Sequence, residues 1–299
     1  MPQPLFGVIP PIATPFDADG NVLHPALREV VEFQINAGVH GLVAGGSTGE
    51  GHTFERDDFV AMMETVAAAA RGRVPVLAGI IVNSTNEAIA RANRLRHLDI
   101  AALQVTPVHY LFKPDDDATV AHFRAVAEGT GKPVIIYNVI PWNYLSPALL
   151  LRVMREVPGV VGVKQSSGDL KLLADLLLAA PADKLIFTAI DALLYPSYAL
   201  GACGAIAAMP AAAPHANVAL WNAMKAGDHA AAKALHERLL VLWNALSAEN
   251  LPANVKYALA VQGVPAGLSR RPMPMPDEAR RAAIRAALAG LGATIRAAA

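Results

Sequence analysis

PVIIYNVIPWNYLSPALLLRVMREVPGVVGVKQSS, residues 133–167, decides the fold. Its ends, PVIIYNV and VVGVKQSS, are short β-branched and apolar runs with few polar positions, as expected of strands buried on both faces of a parallel sheet. Between them SPALLLRVMREVPG sets apolar residues at three- and four-residue spacing, opens on Ser146 and Pro147 and closes at Gly159, which predicts a helix. Strand, helix and strand in so short a space make a parallel crossover unit.

The same alternation extends in both directions, from residue 5 to about 210. Eight strands are predicted: FGVIPPI from Phe6, GLVAGG from Gly41, VPVLAGII from Val74, IAALQVTP from Ile100, the two already quoted, KLIFTAI from Lys184 and CGAIAAMP from Cys203. LHPALREVVEFQINAG, FERDDFVAMMETVAAAARG, STNEAIARANRLRHL and DDDATVAHFRAVAEGTG repeat the helical spacing. Eight units can close into a barrel, whereas an open doubly wound sheet has fewer strands and a glycine-rich dinucleotide turn after the first. Here TPFDADGN follows the first strand, and it is no such turn. The reading is therefore α/β: a (β/α)8 TIM barrel over residues 1–225 and a small C-terminal helical subdomain over 226–299, packed on the barrel. That tail includes AAKALHERLLVLWNALS and, beyond the Pro-rich SRRPMPMPDE, a last helix. It carries no chemical signal in the sequence.

Composition narrows the function. Among 299 residues, 25 basic and 25 acidic side chains cancel, so no field attracts polyanions and nucleic acid is not an expected partner. No run of about 18 uninterrupted apolar residues offers a membrane span. The opening MPQPLFGVIPPIATPF has no basic leader. Cys203 is the only cysteine, which removes an internal disulfide and a cysteine-based zinc site and suits a reducing, cytoplasmic setting.

Active sites of such barrels lie at the C-terminal ends of the strands. The sixth strand delivers Lys164 there after four uncharged residues. Partial desolvation of an amine favours its neutral form, a nucleophile toward carbonyls; the plain alternative is a strand-edge lysine with its ammonium in water. Tyr137 lies at the corresponding depth on the fifth strand, where a phenol can relay the protons that Schiff-base chemistry moves, or sit in the core with its hydroxyl satisfied elsewhere. At the end of the second strand, GGSTGEG combines Gly45, Gly46 and Gly49 with the hydroxyls of Ser47 and Thr48, an assembly suited to a carboxylate. It lacks the lysine of a phosphate-cradling P-loop. His109, Tyr110 and Phe112 follow the fourth strand, in a segment suited either to chemistry or to an oligomer contact.

Together these residues resemble the dihydrodipicolinate synthase and N-acetylneuraminate lyase family over residues 5 to about 265. The motifs are GSTGE from Gly46, the TP with aromatics from Thr106, YN at Tyr137 and Asn138, GVKQSSGD from Gly162 and GAIA from Gly204. The resemblance implies a homotetrameric or homodimeric barrel using no metal or organic cofactor, in which pyruvate or a similar 2-oxo acid forms an imine with Lys164. By position, Tyr137 is then the general acid/base. Ser47 and Thr48 bind the substrate carboxylate, with Thr48 also relaying protons toward Tyr137. The backbone of Ile206 lines the pocket, and Tyr110, with His109 in reserve, completes the relay across a subunit interface.

The chain also departs from the family pattern. The synthases usually carry an arginine soon after YN that binds the second substrate's carboxylate; here YNVIPWNYLS has none before Leu151, and Trp142 and Asn143 occupy that region. The strand-seven end FTAID retains only Asp191 of a GDD-like pattern. The expected reaction is therefore cleavage of a 4-hydroxy-2-oxo acid to pyruvate and an aldehyde, or dehydration of a 2-keto-3-deoxy sugar acid. The alternatives are the synthase reaction with aspartate semialdehyde and, in another class, a non-catalytic small-molecule sensor. Trp142 suggests an aromatic or less charged distal group, against the plainer reading of a buried structural tryptophan. A metal-dependent aldolase needs ligands gathered at several strand ends, and His52 and His109 are isolated residues that read as loop or helix surface.

Overall fold

The computed structural model describes residues 4–296; Met1 to Gln3 of the N-terminal segment and residues 297–299 of the tail lie outside the described residues. Eight parallel strands, β1 (Gly7–Val8), β2 (Leu42–Ala44), β3 (Val76–Ile80), β4 (Ala102–Val105), β5 (Val134–Asn138), β6 (Val160–Gln165), β7 (Leu185–Thr188) and β8 (Gly204–Ala205), pair in the order β1-β8-β7-β6-β5-β4-β3-β2. A parallel bridge between Pro11 and Val43 joins the two ends of that order. There the Ile12 amide donates to the Val43 carbonyl at 2.8 Å and the Val43 amide to the Pro10 carbonyl at 3.0 Å. The sheet thus closes into the expected (β/α)8 barrel.

The first and last strands are shorter than the sequence suggests. Pro10 and Pro11 have no amide hydrogen to give a ladder, so FGVIPPI contributes two paired residues and then the seam. At the other end CGAIAAMP leaves the sheet after Ala205, and its last three residues begin a helix.

The crossover helices are α1 (His24–Asn36), α2 (Arg56–Ala70), α3 (Thr85–Asn93), α4 (Asp116–Thr130), α5 (Pro147–Glu156), α6 (Leu170–Ala179) and α7 (Leu194–Ala199). After β8 come α8 (Ala208–Ala212), α9 (Pro214–Lys225), α10 (His229–Leu246), α11 (Leu251–Ala260) and α12 (Glu278–Gly290). Several begin where side-chain oxygens replace missing helical acceptors: Ser84, Asp115 and Ser146 accept from the amides of Glu87, Ala118 and Leu149. Among the described residues no helix is long and apolar enough to cross a membrane.

Alternation along each strand divides the core in two. One face packs on the helices, and the other fills the barrel with a plug of Ile9, Val43, Leu77, Ala102, Ile135, Phe187 and Ile206. Because side chains alternate with period two, Tyr137, two residues beyond Ile135, points to the interior above that plug. Val163 packs with the helix-facing core, so Lys164 faces the interior too. The strand register pairs Tyr137 with Lys164 directly.

Candidate active site

A cavity of about 600 Å3 opens above the plug, and its wall includes Ser47, Thr48, Tyr137, Lys164 and Ile206. Lys164 is 4% exposed, with its Nζ 3.8 Å from the centre of the Tyr137 ring. The Tyr137 hydroxyl lies 3.0 Å from Ser47 Oγ. β5, β6 and the turn after β2 therefore converge on one point, with a primary amine, a phenol and an alcohol in sequence.

That turn begins with a 3-10 segment, Ser47–Gly49, and leaves no room for side chains at Gly49 or at Gly51 just beyond the segment. A Cβ on Gly49 would lie 2.4 Å from the Ile12 carbonyl oxygen, and one on Gly51 would lie 1.7 Å from that of Gly45. The turn brings Ser47, rather than Thr48, within hydrogen-bond distance of Tyr137. Thr48 stands beside it in the cavity wall. Asn138, the second half of the YN motif, fastens the segment that follows: its Nδ2 donates to the Leu145 carbonyl at 3.1 Å and its Oδ1 accepts from the Leu145 amide at 2.9 Å.

Tyr110 and His109 are outside the cavity wall within a single chain. Tyr110 is 69% exposed and forms, with Leu111 and Phe112, an apolar surface patch. Trp142 is not a buried structural residue, nor does it line the cavity. It is 66% exposed and donates from Nε1 to the His109 carbonyl at 2.8 Å, while Asn143 Nδ2 donates to the Val108 carbonyl at 2.7 Å. The region where the family's arginine is expected thus braces the loop after β4.

The tail, which carries no chemical signal in the sequence, supplies part of the cavity wall. Trp243 of α10, Glu249, Leu251 and Pro252 at the start of α11, and Met273 beyond it all line the cavity, and His52, exposed on a short 3-10 segment, stands at its edge. The missed signal is Lys256, set in the apolar run ANVKYALAV much as Lys164 is set in VVGVKQ. Lys256 is fully buried and donates to Glu50 Oε1 at 2.5 Å and to the Leu268 carbonyl at 2.7 Å. Burial pulls its ammonium down to about 8, and the Glu50 carboxylate works against that shift.

Asp191 is a buried carboxyl in the wall. Burial raises its carboxyl to about 7, opposed by the Met209 amide, which donates to Oδ1 at 2.6 Å, and by the charge on Lys164. A carboxyl whose folded value exceeds its unfolded one binds the proton more tightly when folded. The contribution of this group to stability is therefore fully present below about pH 4 and is lost as pH rises through about 7. Asp191→Asn keeps an acceptor for Met209 without the charge. It should stabilise the protein at pH 9, on the order of 2 to 4 kcal/mol, with no gain at pH 4. Thermal denaturation at the two pH values checks this; an equal change at both would remove the titration from the account.

Residues 4–290 match the dihydrodipicolinate synthetase family. A 4-hydroxy-tetrahydrodipicolinate synthase of Acidiphilium cryptum is 36% identical over 289 residues, 96% of this chain and 98% of that protein. The dihydrodipicolinate synthase of Aquifex aeolicus superposes with a TM-score of 0.91 at 26% identity, covering 98% of this chain and 100% of that one. A prophage protein of E. coli K12, described as belonging to the dihydrodipicolinic acid synthase family and solved in complex with pyruvate, gives 0.90 at 26% identity, with 97% and 99% covered.

Proposed function

The chain belongs to the dihydrodipicolinate synthetase family of lyase-type class I aldolases, and from that premise we propose that Lys164 forms an imine with a 2-oxo acid whose distal group bears no carboxylate. The observation that carries the reading is the Lys164, Tyr137 and Ser47 arrangement at the cavity floor. The amine adds to the C2 carbonyl and water leaves, giving a protonated imine. In a 4-hydroxy-2-oxo acid, Tyr137 takes the proton of the C4 hydroxyl, the C3–C4 bond breaks, and its electron pair moves into the imine to give an enamine as the aldehyde departs. Protonation at C3 and hydrolysis then release pyruvate and restore the amine. Dehydration of a 2-keto-3-deoxy sugar acid starts from the same imine. Ser47 and Thr48 hold the substrate carboxylate and Ile206 closes the wall behind it. No metal or organic cofactor enters this scheme.

Charge in the cavity supports the choice of substrate. Among the described residues Lys164 is the only lysine or arginine in its wall, whereas Asp191 and Glu249 are both there. A second carboxylate on the substrate would meet these acids without a charge-assisted partner. The synthase reaction is the second reading, favoured by the names of the relatives. Turnover of pyruvate with aspartate semialdehyde, set against pyruvate release from uncharged 4-hydroxy-2-oxo acids, decides between them.

Borohydride reduction in saturating pyruvate should add the mass of a reduced pyruvate adduct to the peptide containing Lys164; an unmodified peptide would remove the imine. Tyr137→Phe keeps the ring beneath Lys164 but removes the hydroxyl. It should lower kcat by roughly 100- to 10,000-fold while pyruvate still forms a trappable adduct. Rapid-quench trapping beside steady-state kinetics separates the two steps.

Tyr110, with His109 in reserve, is proposed to complete the proton path from a second copy of the chain in a homodimer or homotetramer. The exposed Tyr110, Leu111 and Phe112 patch is a surface suited to such a contact. The working compartment fits the cytoplasm, with one thiol and no disulfide to maintain.

A further inference from the structure

The hydroxyls of Ser47 and Thr48 sit on a turn whose last residue, Glu50, has its carboxylate held wholly by the far end of the chain. Oε1 takes the Lys256 ammonium at 2.5 Å, and Oε2 takes the Arg270 amide at 2.9 Å. Glu50 itself has a φ of 59°, a left-handed conformation that a residue with a side chain adopts only when its surroundings impose it. The Arg270 guanidinium donates to the Thr53 carbonyl at 2.7 Å and to the Gly20 carbonyl at 2.8 Å, and it lies over the rings of Phe16 and Phe54. The 3-10 segment Ser47–Gly49 packs directly on α11. One turn before Lys256, that same helix presents Leu251 and Pro252 to the cavity.

From this arrangement we infer that Lys256 and Glu50 are positioning residues, which fix the Ser47–Thr48 turn against α11 and so set the affinity of the site for the carboxylate of a 2-oxo acid. The inference rests on the reading of the cavity as a 2-oxo acid site. Neither side chain reaches the cavity, and the pair touches neither Lys164 nor Tyr137. Its influence therefore falls on binding, not on the bond-making step. Loss of the pair frees Glu50 to leave its left-handed conformation, and the turn that presents the two hydroxyls relaxes with it. α11 also carries part of the cavity mouth, so one rigid helix relates the position of the substrate's carboxylate to that of its distal end.

The test measures pyruvate affinity by calorimetry and adduct formation by borohydride trapping, on the wild-type full chain, on Lys256→Met and on Glu50→Gln. Glu50→Gln keeps the size of the side chain and one acceptor for the Arg270 amide, and it serves where Lys256→Met does not fold. The expected result is at least a tenfold rise in the half-saturating pyruvate concentration, with the trapping rate at saturation within about threefold of wild type. A purely structural pair would lower the fraction of active protein and leave half-saturation unchanged; that result in a folded variant overturns the inference. Failure of the imine reading looks different: wild type binds pyruvate but yields no adduct, and the affinity ratio still judges the pair. Wild type that binds no pyruvate overturns both.

Discussion

Lys164→Ala is expected to lower turnover at least about a thousandfold and to abolish borohydride trapping, because without the amine no cationic imine accepts the electron pair of the breaking bond. The loss should come with little change in stability. Among the described residues no hydrogen bond or ion pair holds the Lys164 ammonium; it lies over the face of Tyr137, and its charge is felt by the Asp191 carboxyl. Its removal breaks no hydrogen bond, and the adjoining cavity takes up the lost volume. Lys164→Arg is the sharper control. It keeps a cation near the phenol but offers a guanidinium that forms no imine under these conditions, so it should be equally inactive. Steady-state kinetics with mass spectrometry of the trapped protein measures both variants. Retention of a tenth of the wild-type rate in either would refute the covalent mechanism.

Lys256→Met should be the most destabilising single change at a site that never touches substrate. It strands the Glu50 carboxylate, 3% exposed, with only the Arg270 amide as a partner. Removing one member of a buried ion pair typically costs about 3 to 5 kcal/mol. For a chain of this size that corresponds to a fall in Tm of roughly 6 to 10 °C. The pair itself is only a modest net contributor, since burial already drives the Lys256 ammonium well below its ordinary range despite the adjacent carboxylate. The double variant Glu50→Gln with Lys256→Met should therefore recover more than half of the lost stability. Chemical denaturation of the four members of this cycle gives the coupling energy. A fully additive cycle would mean that the two groups do not support each other.

The barrel was legible because a strand buried on both faces has to be apolar almost throughout, and VIIY and VVGV are. Where the chain departs from that rule, the reading overshot. FGVIPPI is apolar enough for a strand, but its prolines cannot donate, so hydrophobicity alone exaggerated the first ladder. Lys164 and Tyr137 were legible as neighbours because two consecutive parallel strands with polar residues at the same depth place them side by side. Which hydroxyl of the Ser-Thr pair meets Tyr137 was not, since that depends on how a three-residue 3-10 segment is rotated. Asp191 could be seen to persist from a family pattern, but its burial depends on α8 covering it from beyond β8. Lys256 and Glu50 are 206 positions apart. No local periodicity carries information across that distance; the only trace was a lone charge inside an apolar helix.

The cavity is written by stretches of the gene that lie far apart. Its floor, with Lys164 and Tyr137, comes from β5 and β6, whereas much of its mouth, with Trp243, Leu251, Pro252 and Met273, is encoded more than seventy codons downstream of Lys164. Mutation or recombination in the downstream stretch can therefore reshape the mouth while Lys164 and Tyr137 are inherited unchanged. The restriction on that freedom is Lys256: any exchanged segment that fails to bring a partner for Glu50 leaves a buried carboxylate without its ammonium at the end of the Ser47–Gly49 turn. Diversification of such a chain is thus permitted at Leu251 and Pro252 and penalised a single helical turn later.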